Sequence, residues 1–113
     1  MPTVSFVDTK LGVTKKPAPL HPGEILREKF LKPLELSAAA LARRMHVPRT
    51  RVERIVDEQI GVTVDTALRL ARALGTSPQF WLDLQREYEL AIAERALSKE
   101  LATIEPIKQR RKK

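Results

Sequence analysis

The sequence predicts an all-α fold of five helices, and three observations carry that reading. From residue 22 onward, apolar side chains recur at the i, i+3, i+4 spacing of a helix face. Capping residues, prolines and glycines cut this pattern into helical lengths, with Ser37, Thr63 and Ser77 placed to start helices and Gly75 to end one. The body offers no strand; the short alternation Val4-Ser5-Phe6-Val7 lies in a Pro- and Lys-containing arm ahead of it.

The first helix starts at Pro22, where a missing N–H is tolerated, and Ile25, Leu26 and Phe30 form its apolar face. Pro33 is expected to close it, because a proline disfavours helical angles at the residue before it, Lys32. Ser37 caps the second helix, Ala38 to Met45, with Leu41, Ala42 and Met45 inward. After the break His46-Val47-Pro48, a third helix runs from Arg49 to about Asp57 on Val52, Ile55 and Val56, ahead of the breaker Gly61. Thr63 caps the fourth, whose inner stripe reads Ala67, Leu68, Ala71 and Leu74, and Gly75 ends it. Ser77-Pro78 opens a long fifth helix expected to reach about Thr103, with Pro106 beyond it. Its apolar positions include Trp81, Leu84, Tyr88, Ile92, Leu97, Leu101 and Ile104.

At 113 residues the chain suits one small domain with tails: a flexible arm over 1–20, a domain over 21–104 and a basic tail over 105–113. The formal charge is +7. Most of the excess sits at the two ends, in Lys10, Lys15 and Lys16 and in Lys108, Arg110, Arg111, Lys112 and Lys113. A basic tail is either a solvated end or a sequence-independent grip on phosphate. The absence of cysteine excludes a disulfide scaffold and a thiol nucleophile. No apolar run approaches a membrane span and the N-terminus lacks a signal-peptide stretch, so a cytoplasmic protein is expected.

The second and third helices, each about nine residues long across a three-residue break, have the proportions of a helix-turn-helix. Ala42 supplies the small side chain that closely crossing helices need. His46 occupies the turn, where φ tends to be positive and histidine is among the better-tolerated residues. With Val52, Ile55 and Val56 inward, Arg49, Thr50, Glu53 and Arg54 project outward near the start of the third helix. Recognition helices read bases from that end, and arginine pairs bidentately with guanine O6 and N7. Arg43, Arg44 and Arg51 are placed to meet phosphates, as are the helix N-termini capped by Ser37 and Thr63. The plainer alternative is a helical hairpin with a solvated arginine face.

Five stretches, in this order and spacing, resemble the HigA-type antitoxins, helix-turn-helix proteins of the lambda-repressor-like (XRE) class. They are His21-Pro22-Gly23-Glu24-Ile25-Leu26, Leu41-Ala42-Arg43-Arg44, Val47-Pro48-Arg49-Thr50-Arg51-Val52, Asp65-Thr66-Ala67-Leu68-Arg69-Leu70-Ala71 and Ser77-Pro78-Gln79-Phe80-Trp81-Leu82. The resemblance implies a five-helix lambda-repressor-like domain with a long C-terminal helix. It also implies a type II toxin–antitoxin module in which a dimer binds operator DNA, represses its own operon and neutralises a RelE/HigB-like mRNA-cleaving toxin. The chain departs from the family at Asp57-Glu58-Gln59-Ile60, where Asn-Gly and basic residues are usual, and at Ala38, where a DNA-contacting glutamine is frequent. Carboxylates at 57 and 58 oppose a phosphate backbone, and the basic tail is expected to compensate.

No catalytic constellation is legible. His21 and His46 are far apart in sequence and each adjoins a turn proline, and the glycines form no phosphate loop. Glu53 and Asp57 share a face at i, i+4, but Arg49 and Arg54 beside them favour ion pairing over metal binding. Trp81, Phe80 and Tyr88 read as aromatic core rather than a ligand cage. The expectation is therefore no enzyme, no cofactor and no metal. Leu97, Leu101 and Ile104 are expected to face a second copy in a homodimer. Glu24, Glu28 and Glu35, or Glu87, Glu89 and Glu94, are candidate contacts for a basic toxin. The remaining alternatives are a free-standing repressor without a toxin and an interaction module that has lost DNA binding.

Overall fold

A computed structural model of the protein describes residues 19–108, and within them six helices and no strand. The arm at Val4 to Val7 and the basic residues of 109–113 lie outside the described residues. The first helix, α1, is made of Pro22–Ile25, a π-wound stretch Leu26–Leu31, and Lys32–Leu34, running on without a break. It is followed by α2 (Ala38–Met45), α3 (Arg49–Val56), α4 (Val64–Leu74), α5 (Pro78–Ala96) and α6 (Ser98–Ala102).

The expected caps hold. The side chains of Ser37, Thr63 and Ser77 accept from the N–H groups of Ala40 (3.0 Å), Thr66 (3.3 Å) and Phe80 (3.0 Å). Each satisfies a donor that a helix start leaves unpaired. Gly75 ends α4 in the left-handed region at φ 77°. His46 does the same for α2 at φ 61°, as its place in the turn predicts.

Pro33, expected to close α1, lies inside it. Lys32 keeps helical angles (φ −63°, ψ −51°), and its N–H reaches back five residues to the Arg27 carbonyl. In an α-helix the proline ring would press on the carbonyl four residues before it. The wider π winding just ahead relieves that crowding, and α1 continues to Leu34 before Glu35 turns left-handed at φ 52°.

The core sits where the helices meet, with Leu26, Leu41, Val52, Ile55, Leu70 and Trp81 fully buried. α1 crosses α3 and α5, α2 packs on α3 and α4, and α4 lies along α5. The Trp81 indole N–H donates to Thr76 Oγ1 at 2.7 Å, so the largest core side chain is also satisfied. Leu68, expected on the inner stripe of α4, is 54% exposed, while Leu70 is buried. A leucine flanks Ala67 and Ala71 on either side, so spacing alone could not choose between them.

The long C-terminal helix is interrupted. α5 ends at Ala96, Leu97 leaves helical geometry (φ −101°, ψ 7°), and α6 is a separate short helix. Beyond Ala91 every described residue is exposed, so no packing holds the two pieces as one rod. No described helix is long and apolar enough to cross a membrane.

Candidate nucleic-acid interface

The turn between α2 and α3 is closed by its backbone. Val47 N–H bonds to the Ala42 carbonyl at 3.1 Å, completing a Schellman-type end with His46 in the left-handed position. Pro48 then sets extended angles (φ −63°, ψ 145°) from which α3 starts at Arg49. Ala42, Val52 and Ile55 are buried at the crossing, and this fixes which side of α3 faces outward.

Arg49, Thr50 and Arg54 are exposed on that outer side and Glu53 is half-buried. Arg49 Nε lies 3.1 Å from Glu53 Oε2, one turn along, so the carboxylate holds the guanidinium against the helix face. Arg49 and Thr50 line a shallow groove with Ala39, Ala42, Arg43, Val47 and Pro48, which brings Arg43 of α2 beside the first turn of α3. The exposed N-termini capped by Ser37 and Thr63 belong to α2 and α4.

Two of the expected phosphate contacts are placed differently. Arg44 lines a separate hollow with Leu34, Leu36, Ala73 and Leu74, away from the Arg43–Arg49 groove. Arg51 is half-buried, with Nη1 2.7 Å from Asp65 Oδ2 in the first turn of α4. Asp65 also accepts from Arg69 Nε, at 3.0 and 3.1 Å to its two oxygens. Arg69 in turn donates through Nη1 to the Met45 carbonyl at 2.8 Å, at the end of α2. The Arg51 hydrogen bond, then that of Arg69, holds the Asp65 carboxyl below the usual carboxylate range.

The far end of α3 is anchored by residues whose roles sequence reasoning missed. A Cβ on Gly23 would fall 1.7 Å from the Ile55 carbonyl oxygen, so only glycine lets α1 approach α3 this closely. Arg27 donates through Nη1 to the Val56 carbonyl and through Nη2 to Glu58 (3.4 Å). Glu58, at φ 62°, is the left-handed residue that ends the helix, and its charge is shared with Arg27 rather than left bare. His21, 4% exposed, accepts the Gly23 N–H on Nδ1 at 2.9 Å and meets the Tyr88 ring edge-on at 4.8 Å. Burial lowers its pKa, against the Glu58 carboxylate and a hydrogen bond to the Ile60 backbone. The signal for all this was the run His21-Pro22-Gly23, whose cap and close approach are physically specific once Ile55 is known to lie opposite. Among the described residues, no three His, Asp or Glu side chains converge as metal ligands.

Comparison with known proteins gives this arrangement its relatives. A helix-turn-helix family model matches residues 26–81. Virulence-associated protein I of Dichelobacter nodosus is 54% identical over 83 residues, covering 74% of this chain and 76% of that protein. Antitoxin HigA-1 of Vibrio cholerae is 33% identical over 92 residues, covering 81% of this chain and 87% of that protein. The Pseudomonas aeruginosa antitoxin HigA, solved with the higBA promoter, superposes with a TM-score of 0.77 at 50% identity, over 79% of this chain and 98% of that one. With the turn, the caps and the buried face of α2 and α3 all in place, and an antitoxin matched along most of its length, the chain belongs to the HigA family of helix-turn-helix antitoxins.

Proposed function

We propose that the protein is the antitoxin of a toxin–antitoxin pair that binds its operator as a dimer and represses its own operon in the cytoplasm. The observation that carries this reading is the first turn of α3. It exposes Arg49 and Thr50 beside Arg43 while the opposite side of the same helix is core. In this reading α3 enters the major groove, Arg49 and Arg54 pair with guanine, and Glu53 aligns Arg49 or accepts from cytosine N4. Arg43 and the N–H groups at the helix starts of Ser37 and Thr63 meet phosphates. Arg44 and Arg51 add positive potential from further away. The relative solved with its promoter, half identical to this chain, supports operator binding.

One such domain makes too few base contacts for high specificity, and a dimer recovers it by reading two half-sites one helical turn apart. Leu97, Leu101 and Ile104, at 47%, 44% and 63% exposure, are the apolar surface proposed for that dimer. The partner toxin is a basic, RelE/HigB-like mRNA-cleaving protein, and the antitoxin acts by binding, not by catalysis. The alternative of an interaction module without DNA binding rested on Asp57 and Glu58, and pairing of Glu58 with Arg27 weakens it.

Fluorescence anisotropy on the DNA upstream of the gene, from 50 to 300 mM salt, tests the reading (concentrations about the physiological range). Specific, steeply salt-dependent binding is expected, with Arg49→Ala and Arg54→Ala each losing about 1–3 kcal/mol. Equal binding of upstream and scrambled DNA would sink it.

A further inference from the structure

We propose that Asp65 is a positioning residue for DNA reading, holding α3 at its working angle through Arg51 and Arg69. This rests on the operator-binding reading above. α3 packs on α2 and on the start of α1, but few backbone positions of α3 and α4 approach each other. The direct polar tie between them is the 2.7 Å pair of Arg51 and Asp65. The same carboxylate takes both oxygens to Arg69 Nε, and Arg69 closes the end of α2 by donating to the Met45 carbonyl at 2.8 Å. The carboxylate therefore ties the first turn of α3 to the first turn of α4 directly, and it steadies Arg69, which ties α4 to the last turn of α2. Arg51 follows Arg49 and Thr50 directly, so any swing of Arg51 carries the reading residues with it. A recognition site tolerates only about half an ångström of such displacement.

Charge alone predicts the opposite effect of removing Asp65. A carboxylate near a duplex opposes binding of any sequence, so its loss should tighten binding to every DNA and steepen the salt dependence. The sign of the change therefore separates the two roles. An exposed ion-pair cluster adds little to global stability, so the thermal midpoint should move little in either case.

The test uses full-length wild type, Asp65→Asn and Arg51→Lys, with two readouts. In the free protein, amide hydrogen exchange by NMR should quicken about fivefold in α3 relative to α5 when the clamp is broken. In anisotropy, affinity for the upstream DNA should fall about tenfold while that for scrambled DNA holds or rises. Arg51→Lys keeps the charge and loses the fixed geometry, so it should lower specificity without changing the salt slope. It carries the same expectation should Asp65→Asn fail to fold. Unchanged α3 exchange, or tighter binding of both DNAs alike, would overturn the proposal. Wild type binding both DNAs equally would refute the operator reading, and the exchange of α3 would then decide the clamp by itself.

Discussion

His21 caps α1, packs against Tyr88 and sits beside the loop that follows α3, so its protonation state bears on the whole N-terminal junction. Its Nδ1 accepts a hydrogen bond, and an imidazolium has no lone pair there to offer. Burial therefore depresses its pKa in the folded protein below the ordinary value of about 6.5. As pH falls, the unfolded chain takes up the proton first, so the stability contributed by neutral His21 is complete above about 6.5 and declines below it. Urea unfolding midpoints should drop between about pH 7.5 and 5.5, and His21→Asn, which keeps a capping acceptor, should flatten that drop. At Gly23 the constraint is steric. Gly23→Ala should cost about 3 kcal/mol or more by the same measurement, because the Ile55 carbonyl it would strike is backbone held in a helix. Neither role was legible at its own position, since both depend on what α3 places across from α1, although the motif itself stood out.

The starts of α2, α4 and α5 were legible because a hydroxyl cap acts locally, within three residues of itself. Helix ends were harder. Gly75 announces a left-handed residue by its type and His46 by its place in the turn, whereas Glu35 and Glu58 adopt the same geometry with side chains that dislike it. That dislike is about 1–2 kcal/mol per residue, against about 0.5–1 kcal/mol of extra chain entropy lost by a glycine. Glu35→Gly should therefore raise stability by about 0.5–1 kcal/mol, read as a higher thermal midpoint with an unchanged circular dichroism spectrum. The gap at Leu97 could not be read because leucine is a good helix former and the apolar pattern runs straight through it. The candidate site was legible in its outward set, Arg49, Thr50, Glu53 and Arg54, since burial of Val52 and Ile55 fixes the opposite side. The surroundings of Arg51 and Arg44 were not legible, because Arg51 pairs with Asp65 of α4 and Arg44 lines a hollow with Leu34, Leu36, Ala73 and Leu74, which spacing along α2 and α3 does not reveal.

Across the described residues, one covered core is accompanied by apolar side chains left in solvent, some scattered singly (Leu34, Val64, Leu68) and some grouped toward the C-terminal end. The core draws on all of α1 to α4 and the first half of α5, while Leu97, Leu101 and Ile104 project from the far end of the chain. Sedimentation equilibrium should give a dimer mass for the wild type and a monomer mass for Leu97→Asp/Leu101→Asp, with the helical content of the core retained. An unchanged mass would move the dimer surface elsewhere. The π-wound stretch of α1 bears on how such chains vary in length. Residues 26–31 spend one residue more than an α-turn of the same advance requires, and Pro33 fits only because that surplus widens the helix ahead of it. The extra residue and the proline thus form a matched pair. A homologous chain that loses one residue in this segment must return to α winding and give up the proline as well, so in this lineage the gap and the substitution should be inherited together.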